Sequence, residues 1–337
     1  MPMLDVFKED IFGVVSLTAA INKLPYVPSR LGSMNLFKTK GVATTTVLIE
    51  EQFGKLMIVP TAARGTNPNV MGGRTRRAKA FAIPHVPLVT GVMADDVQGV
   101  RAFGEESEVE VASTLVNDKM AEMRQAMEVT HEWHRIGAIQ GIVLDADGSA
   151  VIYDWFDEFG ITEEVLPVDF TDVNAVKLAS HAVSRHIEDS LGITPYTRIR
   201  AMCGATFFDS LTTSASVKEA YDRFQESSFF RESHARKEFE FAGIVWEEYR
   251  GSVGNAKFID DNSCRIFPEG VNDLFITTFG PADWMETVNT QGKPVYAKQK
   301  PKEWDLGIDL AVQSNPLVMC TRPSVLIRIY DEAVGSA

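Results

Sequence analysis

His131-Glu132-Trp133-His134 is the stretch whose residue types most invite a chemical reading. The zinc protease motif H-E-x-x-H sets two histidines four apart on one helix face, with the glutamate as general base. Here the histidines are three apart, and the glutamate lacks the room it has in that motif. A pair at i, i+3 can still hold a metal. A cytoplasmic metal-dependent hydrolase using His131, Glu132 and His134 is therefore the catalytic alternative. No third ligand suggests itself, so the plain reading is a solvated helix end. The expectation is a non-enzyme with no catalytic residue, no metal and no cofactor. His181 and His186, five apart, do not share a helix face and read as surface or interface. Asp145-Ala146-Asp147-Gly148 has part of a calcium loop but lacks its third acid and distal glutamate. A hairpin turn explains it fully. Cys203, Cys264 and Cys320 have no metal spacing and read as reduced core thiols. No G-x-G-x-x-G, Walker loop or G-x-S-x-G is present.

A second candidate is basic. Arg64, Arg74, Arg76, Arg77 and Lys79 cluster in a stretch broken by Gly65, Pro68, Gly72 and Gly73. Such a cluster can bind phosphate. In an acidic protein the favoured reading is a loop that meets carboxylates of a neighbouring copy, such as Glu105, Glu106, Glu108 and Glu110. The five basic residues with Glu105, Glu106 and Glu108 are the residues assigned to an intersubunit contact.

The chain has 337 residues and a formal charge of −13. It can bury a large core, and 45% hydrophobic with 23% charged residues suits an ordered protein. The negative balance argues against a direct nucleic-acid binder, because phosphate contact needs a basic footprint. The opening MPMLDVFKEDIF has acids where an export signal needs bases. No apolar run approaches the ~20 residues of a membrane span, so no membrane partner is expected.

The elements that must position these residues are organised around Ser107 to Gly141, which predicts one long helix. Ser107 and Glu110 form a capping box. Val109, Ala112, Val116, Met120, Met123 and Met127 recur at helical spacing. Gly137 and Gly141 supply stop signals. Met120 and Met123 are expected to face the protein's own sheet. Before this helix, residues 4–24 predict an amphipathic helix, and Pro25 and Pro28 start an extended arm. Residues 38–93 predict an excursion of two strands around a turn near Gly54. A mobile basic tip follows, then a returning strand whose Pro84 and Pro87 belong at a sheet edge. An isolated ribbon is marginal in water, so this one is expected to lie on a partner. After the helix come a hairpin turning at Asp147-Gly148 and a helix over 172–191 capped by Asp172 and closed by Gly192. A strand in TRIRAMCG, two short helices to Phe224 and three strand-like runs follow. A mixed segment and a final strand over 324–330 close the chain.

This order of parts, together with Lys302-Glu303-Trp304 and Ile308-Asp309-Leu310-Ala311-Val312-Gln313-Ser314-Asn315-Pro316-Leu317-Val318-Met319, resembles the tailed-phage major capsid proteins of the lambda gpE family. The C-terminal stretch looks like that family's basic-x-W … Q-S-x-P-L-M ending. The N-terminal third is similar by pattern only. The resemblance implies an α+β fold of the Hong Kong 97 type. It implies an N-terminal arm over 1–37 and an E-loop over 38–93. A P domain would take 94–170 and 281–317 with a spine helix over 107–140, and an A domain 171–280 and 318–337. It also implies a protein that self-assembles into pentamers and hexamers of an icosahedral shell around double-stranded DNA, held non-specifically. The partners implied are other copies of the chain, a separate scaffold protein, a portal and a decoration protein. The locations implied are the virion capsid and, before assembly, the host cytoplasm.

Overall fold

The computed structural model describes residues 14–24, 29–53, 75–98, 108–228, 238–253 and 256–335. In chain order, α1 is Val14–Lys23, α2 Arg30–Ser33, β1 Lys38–Gly41, β2 Thr46–Phe53, β3 Thr75–Ala82, β4 Val86–Met93, α3 Ala94–Gln98 and α4 Glu108–Gln140. The hairpin strands β5 (Ile142–Leu144) and β6 (Val151–Asp154) lead to α5 (Trp155–Phe159), β7 (Glu164–Val168) and α6 (Ala175–Leu191). Then come β8 (Arg198–Cys203), α7 (Ala205–Thr213), α8 (Ala215–Ser228), β9 (Glu238–Phe241) and β10 (Ile244–Glu248). Two short strands, β11 (Ser252–Val253) and β12 (Ala256–Lys257), precede β13 (Ser263–Glu269) and β14 (Phe275–Phe279). The chain ends through β15 (Tyr296–Pro301), β16 (Gly307–Ser314), β17 (Pro316–Cys320) and β18 (Ile327–Asp331).

The helix α4 runs 33 residues, a rod of about 50 Å. Val116, Met120, Met123 and Met127 are buried on one stripe, as their spacing requires. Ser107, its expected cap, lies outside the described residues. Only one of the two expected glycine stops acts as one. Gly141, at φ +83°, takes the left-handed conformation that ends a helix. Gly137 stays helical, and its missing side chain lets the hairpin backbone at Ile142 and Val143 press against the helix. A close approach and a stop leave the same letter in a sequence.

The sheets partition the rest. A six-stranded sheet runs β7-β18-β13-β8-β10-β9, with β7 parallel to β18 and β10 parallel to β8. Its core contains Trp246, Phe207, Phe208, Phe239 and Phe267, covered by α6 and α7. A three-stranded sheet, β15-β16-β4, buries Val92, Ala297, Ile308, Leu310 and Val312 against α1 and the methionines of α4. The expected inward placement of Met120 and Met123 is what the structure has. Pro87 sits on β4, an edge of this sheet, where its missing N–H does no harm. A third sheet, β1-β14-β17, joins residues 38–41 in parallel to 276–279.

Several expectations change. The second strand expected after the turn near Gly54 lies, with that turn, outside the described residues. Within them β2 pairs with β3, Thr46 opposite Ala82 and Phe53 opposite Thr75. Residues 75–82 carry Arg76, Arg77 and Lys79 on a strand instead of a loop tip, since pairing with β2 supplies what their polar sequence lacks. The run around Pro84 breaks into β3 and β4. Ser29 to Ser33, expected as extended arm, makes a helical turn. The helix over 172–191 begins at Ala175, and Asp172 accepts a bond from Asn174 N instead of capping the helix. The last strand starts at Ile327 because Pro323 opens a 3-10 turn over Pro323–Val325. The mixed C-terminal segment is β15, β16 and β17. The hairpin turn at Asp147-Gly148 is as expected, with Asp147 Oδ1 accepting from Ser149 N and Ala150 N.

Candidate functional site

The four residues His131 to His134 lie in the last third of α4, where β17, the hairpin and the arm converge on the helix. They are not a solvated helix end. His131, Glu132 and His134 are buried, at 2%, 3% and 3% exposure. Helical spacing could not show this, because the helix is covered here on more than one side.

Three of the four have partners of their own. His131 Nε2 lies 2.8 Å from Ser314 Oγ at the end of β16. Trp133 Nε1 donates to Leu144 O at 2.9 Å. Glu132 Oε1 accepts from Leu31 N of α2 at 2.8 Å and from Tyr249 Oη at 3.3 Å. The glutamate of the motif therefore anchors backbone, at the wall of a cavity of about 400 Å³ that Ser29, Glu128 and Tyr249 also line. Burial pushes His131 below its ordinary value, against the pull of Glu128. Burial, with His131 beside it, holds His134 at about 4. Two neutral imidazoles in the core are metal-ligand chemistry in principle. Among the described residues, however, no group of three His, Cys, Asp or Glu comes together that could hold a metal.

The same helix face carries a charge network that the sequence did not announce. Ser29 Oγ and Arg135 Nη1 both donate to Glu128 Oε1, at 2.9 and 2.8 Å. Burial alone would raise the Glu128 carboxyl, but His131 and the Arg135 guanidinium outweigh it and hold the group down at about 2. From the same turn, Arg30 makes a two-pronged bond to Glu247 on β10, at 2.5 and 2.6 Å. Arg200 on β8 reaches Glu247 from the other side at 2.6 Å and also pairs with Glu269. The turn at 29–33 thus ties the long helix to the six-stranded sheet. Its only signal in the sequence is a Ser-Arg pair after Pro28, which alone cannot point to carboxylates 99 or 217 residues away.

The expected contact residues fall as follows. Arg64, Arg74, Glu105 and Glu106 lie outside the described residues. Arg76 and Arg77 belong to β3 and Glu108 opens α4, with side chains outside the description. Lys79 Nζ meets Glu158 Oε2 of its own chain at 2.5 Å. Phe81, beside it on β3, is buried against Tyr153, Trp155 and Phe159, and Tyr153 Oη donates to Ala82 O at 2.6 Å. The base of the β2–β3 ribbon is therefore seated on the hairpin and α5 of the same chain. The cysteines are buried and free, as expected, and pairing of β8 with β13 brings Cys203 opposite Cys264. His181 is exposed, and the half-buried His186 bonds Ser324 O at 2.8 Å.

Comparison with known proteins supplies the rest. The protein family described as Phage major capsid protein E matches residues 13–330. The major capsid protein of Salmonella phage Felix O1 (isolate Felix O1-VT1) is 22% identical over 369 aligned positions, covering 99% of this chain and all of that one. The major capsid protein of Pseudomonas phage KPP10 is 28% identical over 312, covering 85% of this chain and 87% of that one. Among solved structures, the capsid of Ralstonia phage GP4 superposes with a TM-score of 0.53 at 9% identity, covering 90% of this chain and 89% of that one. The last likeness is one of fold alone. None of them supports a hydrolase.

Proposed function

The chain belongs to the phage major capsid protein E family, and from that membership we propose how it builds a shell. It is a major capsid protein of the tailed-phage kind with the Hong Kong 97-type α+β fold, and it works as a homo-oligomer in the virion capsid. In our reading the copies form pentamers and hexamers of an icosahedral head that encloses double-stranded DNA. The acidic balance keeps the packaged polyanion from sticking to the wall. Subunits wait in the host cytoplasm, and a scaffold protein, a portal and a decoration protein complete the particle. The shell does no chemistry of its own.

The domain division we propose is an N-terminal arm over 1–37, an E-loop over 38–93, a P domain over 94–170 and 281–317 built on α4, and an A domain over 171–280 and 318–337. Hydrogen bonding of β7 to β18 argues for moving 164–168 to the A domain. The E-loop would reach a neighbour beyond its seated base, with Arg64, Arg74, Arg76 and Arg77 meeting acids such as Glu105, Glu106 and Glu108, while Lys79 stays on Glu158 of its own chain. Heterologous contacts of this sort close into rings.

The observation that carries the reading is a family match running through 318 of the 337 residues, from 13 to 330. Negative-stain microscopy and light scattering of the protein expressed with its scaffold test it. Closed shells are expected. Small species alone, joined by metal-dependent hydrolysis lost in His131→Ala with His134→Ala, would favour the hydrolase instead.

A further inference from the structure

Cys203 ends β8, and Cys264 is the second residue of β13. These are the two central strands of the six-stranded sheet, and antiparallel pairing sets the cysteines directly opposite each other. Both are fully buried. Their Sγ atoms are 3.1 Å apart, about 1 Å more than the bond of a disulfide. The register supports the pairing independently. An antiparallel ladder alternates between residue pairs that exchange backbone bonds and closer pairs that do not. Gly204 N donates to Ser263 O at 2.9 Å, which makes 204 and 263 a bonded pair. Cys203 and Cys264, next along the ladder, are therefore a non-bonded pair. In such pairs the Cα atoms stand about 4.5 Å apart and the side chains come closest, a spacing that a disulfide can span.

The backbone around the pair is held from both sides. Cys203 O accepts from Tyr249 N at 2.9 Å. Gly204 lies so close to the backbone of Asp260 and Asp261 that no Cβ would fit there. Closing the bond therefore moves two side chains by about 1 Å and leaves the strand register as it is. The third cysteine, Cys320, stands apart from them on β17, in another sheet, opposite Phe275.

We propose that Cys203 and Cys264 are a dithiol–disulfide pair, which an oxidant of the peroxide class closes into a cross-strand bond that locks β8 to β13. The timing, reduced in a host cytoplasm and oxidised in the released particle, rests on the shell reading above; the pairing does not. Burial pushes the Cys203 thiol up, so the closed core holds little thiolate and the reaction goes through transient opening of the sheet. The Cys203 thiolate then attacks one oxygen of hydrogen peroxide. The O–O bond breaks, hydroxide leaves, and a sulfenic acid remains on Cys203. The Cys264 thiolate attacks that sulfur, the S–O bond breaks, and a second hydroxide leaves. With the two thiol protons, two waters and one disulfide are the products.

Peptide mapping of the alkylated full-length chain tests it in two states. Refolding from urea in a glutathione redox buffer removes any limit on access. Cys264 is about as far along the chain from Cys320 as from Cys203, so loop closure alone does not choose between them. A Cys203–Cys264 link with Cys320 alkylated is expected. The folded subunit treated with hydrogen peroxide should form the same link. It should then melt about 5 °C higher than its reduced form, a gain that dithiothreitol reverses. Cys320→Ala should keep the gain and Cys203→Ala should lose it. Each variant is compared with its own reduced form, so the cost of the substitution itself cancels. Three free thiols after either treatment, a link to Cys320, or a gain retained in Cys203→Ala would overturn the proposal. Particles released from cells should carry the link and subunits inside the cell should not. The link in both would overturn the timing, and absence of particles would overturn the shell reading while the subunit results still decide the pairing.

Discussion

Met123 is 4% exposed, at the centre of the stripe by which α4 packs on β4, β15 and β16. Replacing it by Asp puts a carboxylate in the apolar cluster of Met120, Met127, Leu310 and Val312. Loss of the buried thioether costs about 2 kcal/mol in apolar burial. Full burial raises a carboxyl from about 4 to about 8, so the folded protein must hold the group protonated. Each unit between the unfolded value and the ambient pH costs about 1.4 kcal/mol, which makes about 4 kcal/mol at pH 7 and about 1.5 at pH 5. The total is about 6 kcal/mol at pH 7, comparable to the whole stability of many domains at about 5–15 kcal/mol. Because the folded value is raised, the penalty grows as pH rises above the unfolded value and shrinks on acidification. Urea unfolding of the free subunit at both pH values, read as variant minus wild type, measures it. Met123→Leu, which keeps the volume, should cost less than about 1.5 kcal/mol. A Met123→Asp penalty below about 2 kcal/mol, or one equal at pH 5 and 7, would refute the burial argument.

The wild type should itself lose stability in acid. His134 is held at about 4 when folded against 6.5 when free, so its contribution is intact above pH 6.5 and lost as pH falls toward 4. His134→Gln should remove about 2–3 kcal/mol of the difference between pH 7 and 4.5, read from urea midpoints. Arg30→Ala leaves Glu247 with one cation fewer and should cost about 1–3 kcal/mol, with faster amide exchange confined first to 29–33. Changing Arg74, Arg76 and Arg77 together to Glu should leave the subunit's melting temperature unchanged and block assembly. Each lost contact is worth only about 0–1 kcal/mol, but the loss repeats at every copy, and high salt should weaken wild-type shells in the same direction.

Local pattern sufficed where one face of one element decides the outcome. The spacing of Val116, Met120, Met123 and Met127 located the long helix to within a residue at either end, because an amphipathic stripe is a one-dimensional property of the chain. The Asp147-Gly148 turn was legible for the same reason: its bonds close within five residues. The ending around Gln313 to Met319 carried the family likeness, and it lies in buried strand ends of β16 and β17 where packing restricts the choice of residue. Tertiary structure decided whatever depends on partners far along the chain. Nothing local to 75–82 pairs it with 46–53, and that pairing turned an expected loop tip into a strand. Nothing local to His131-Glu132-Trp133-His134 says that Leu31, Ser314 and Tyr249 will enclose it, so a solvated helix end and a buried anchor share one sequence. Trp304 belongs to the family-like ending, but only the built hairpin shows its side chain exposed and its backbone left-handed. A helical stripe or a tight turn is written in adjacent residues, whereas burial from a second side is set by segments whose arrival only the assembled chain determines.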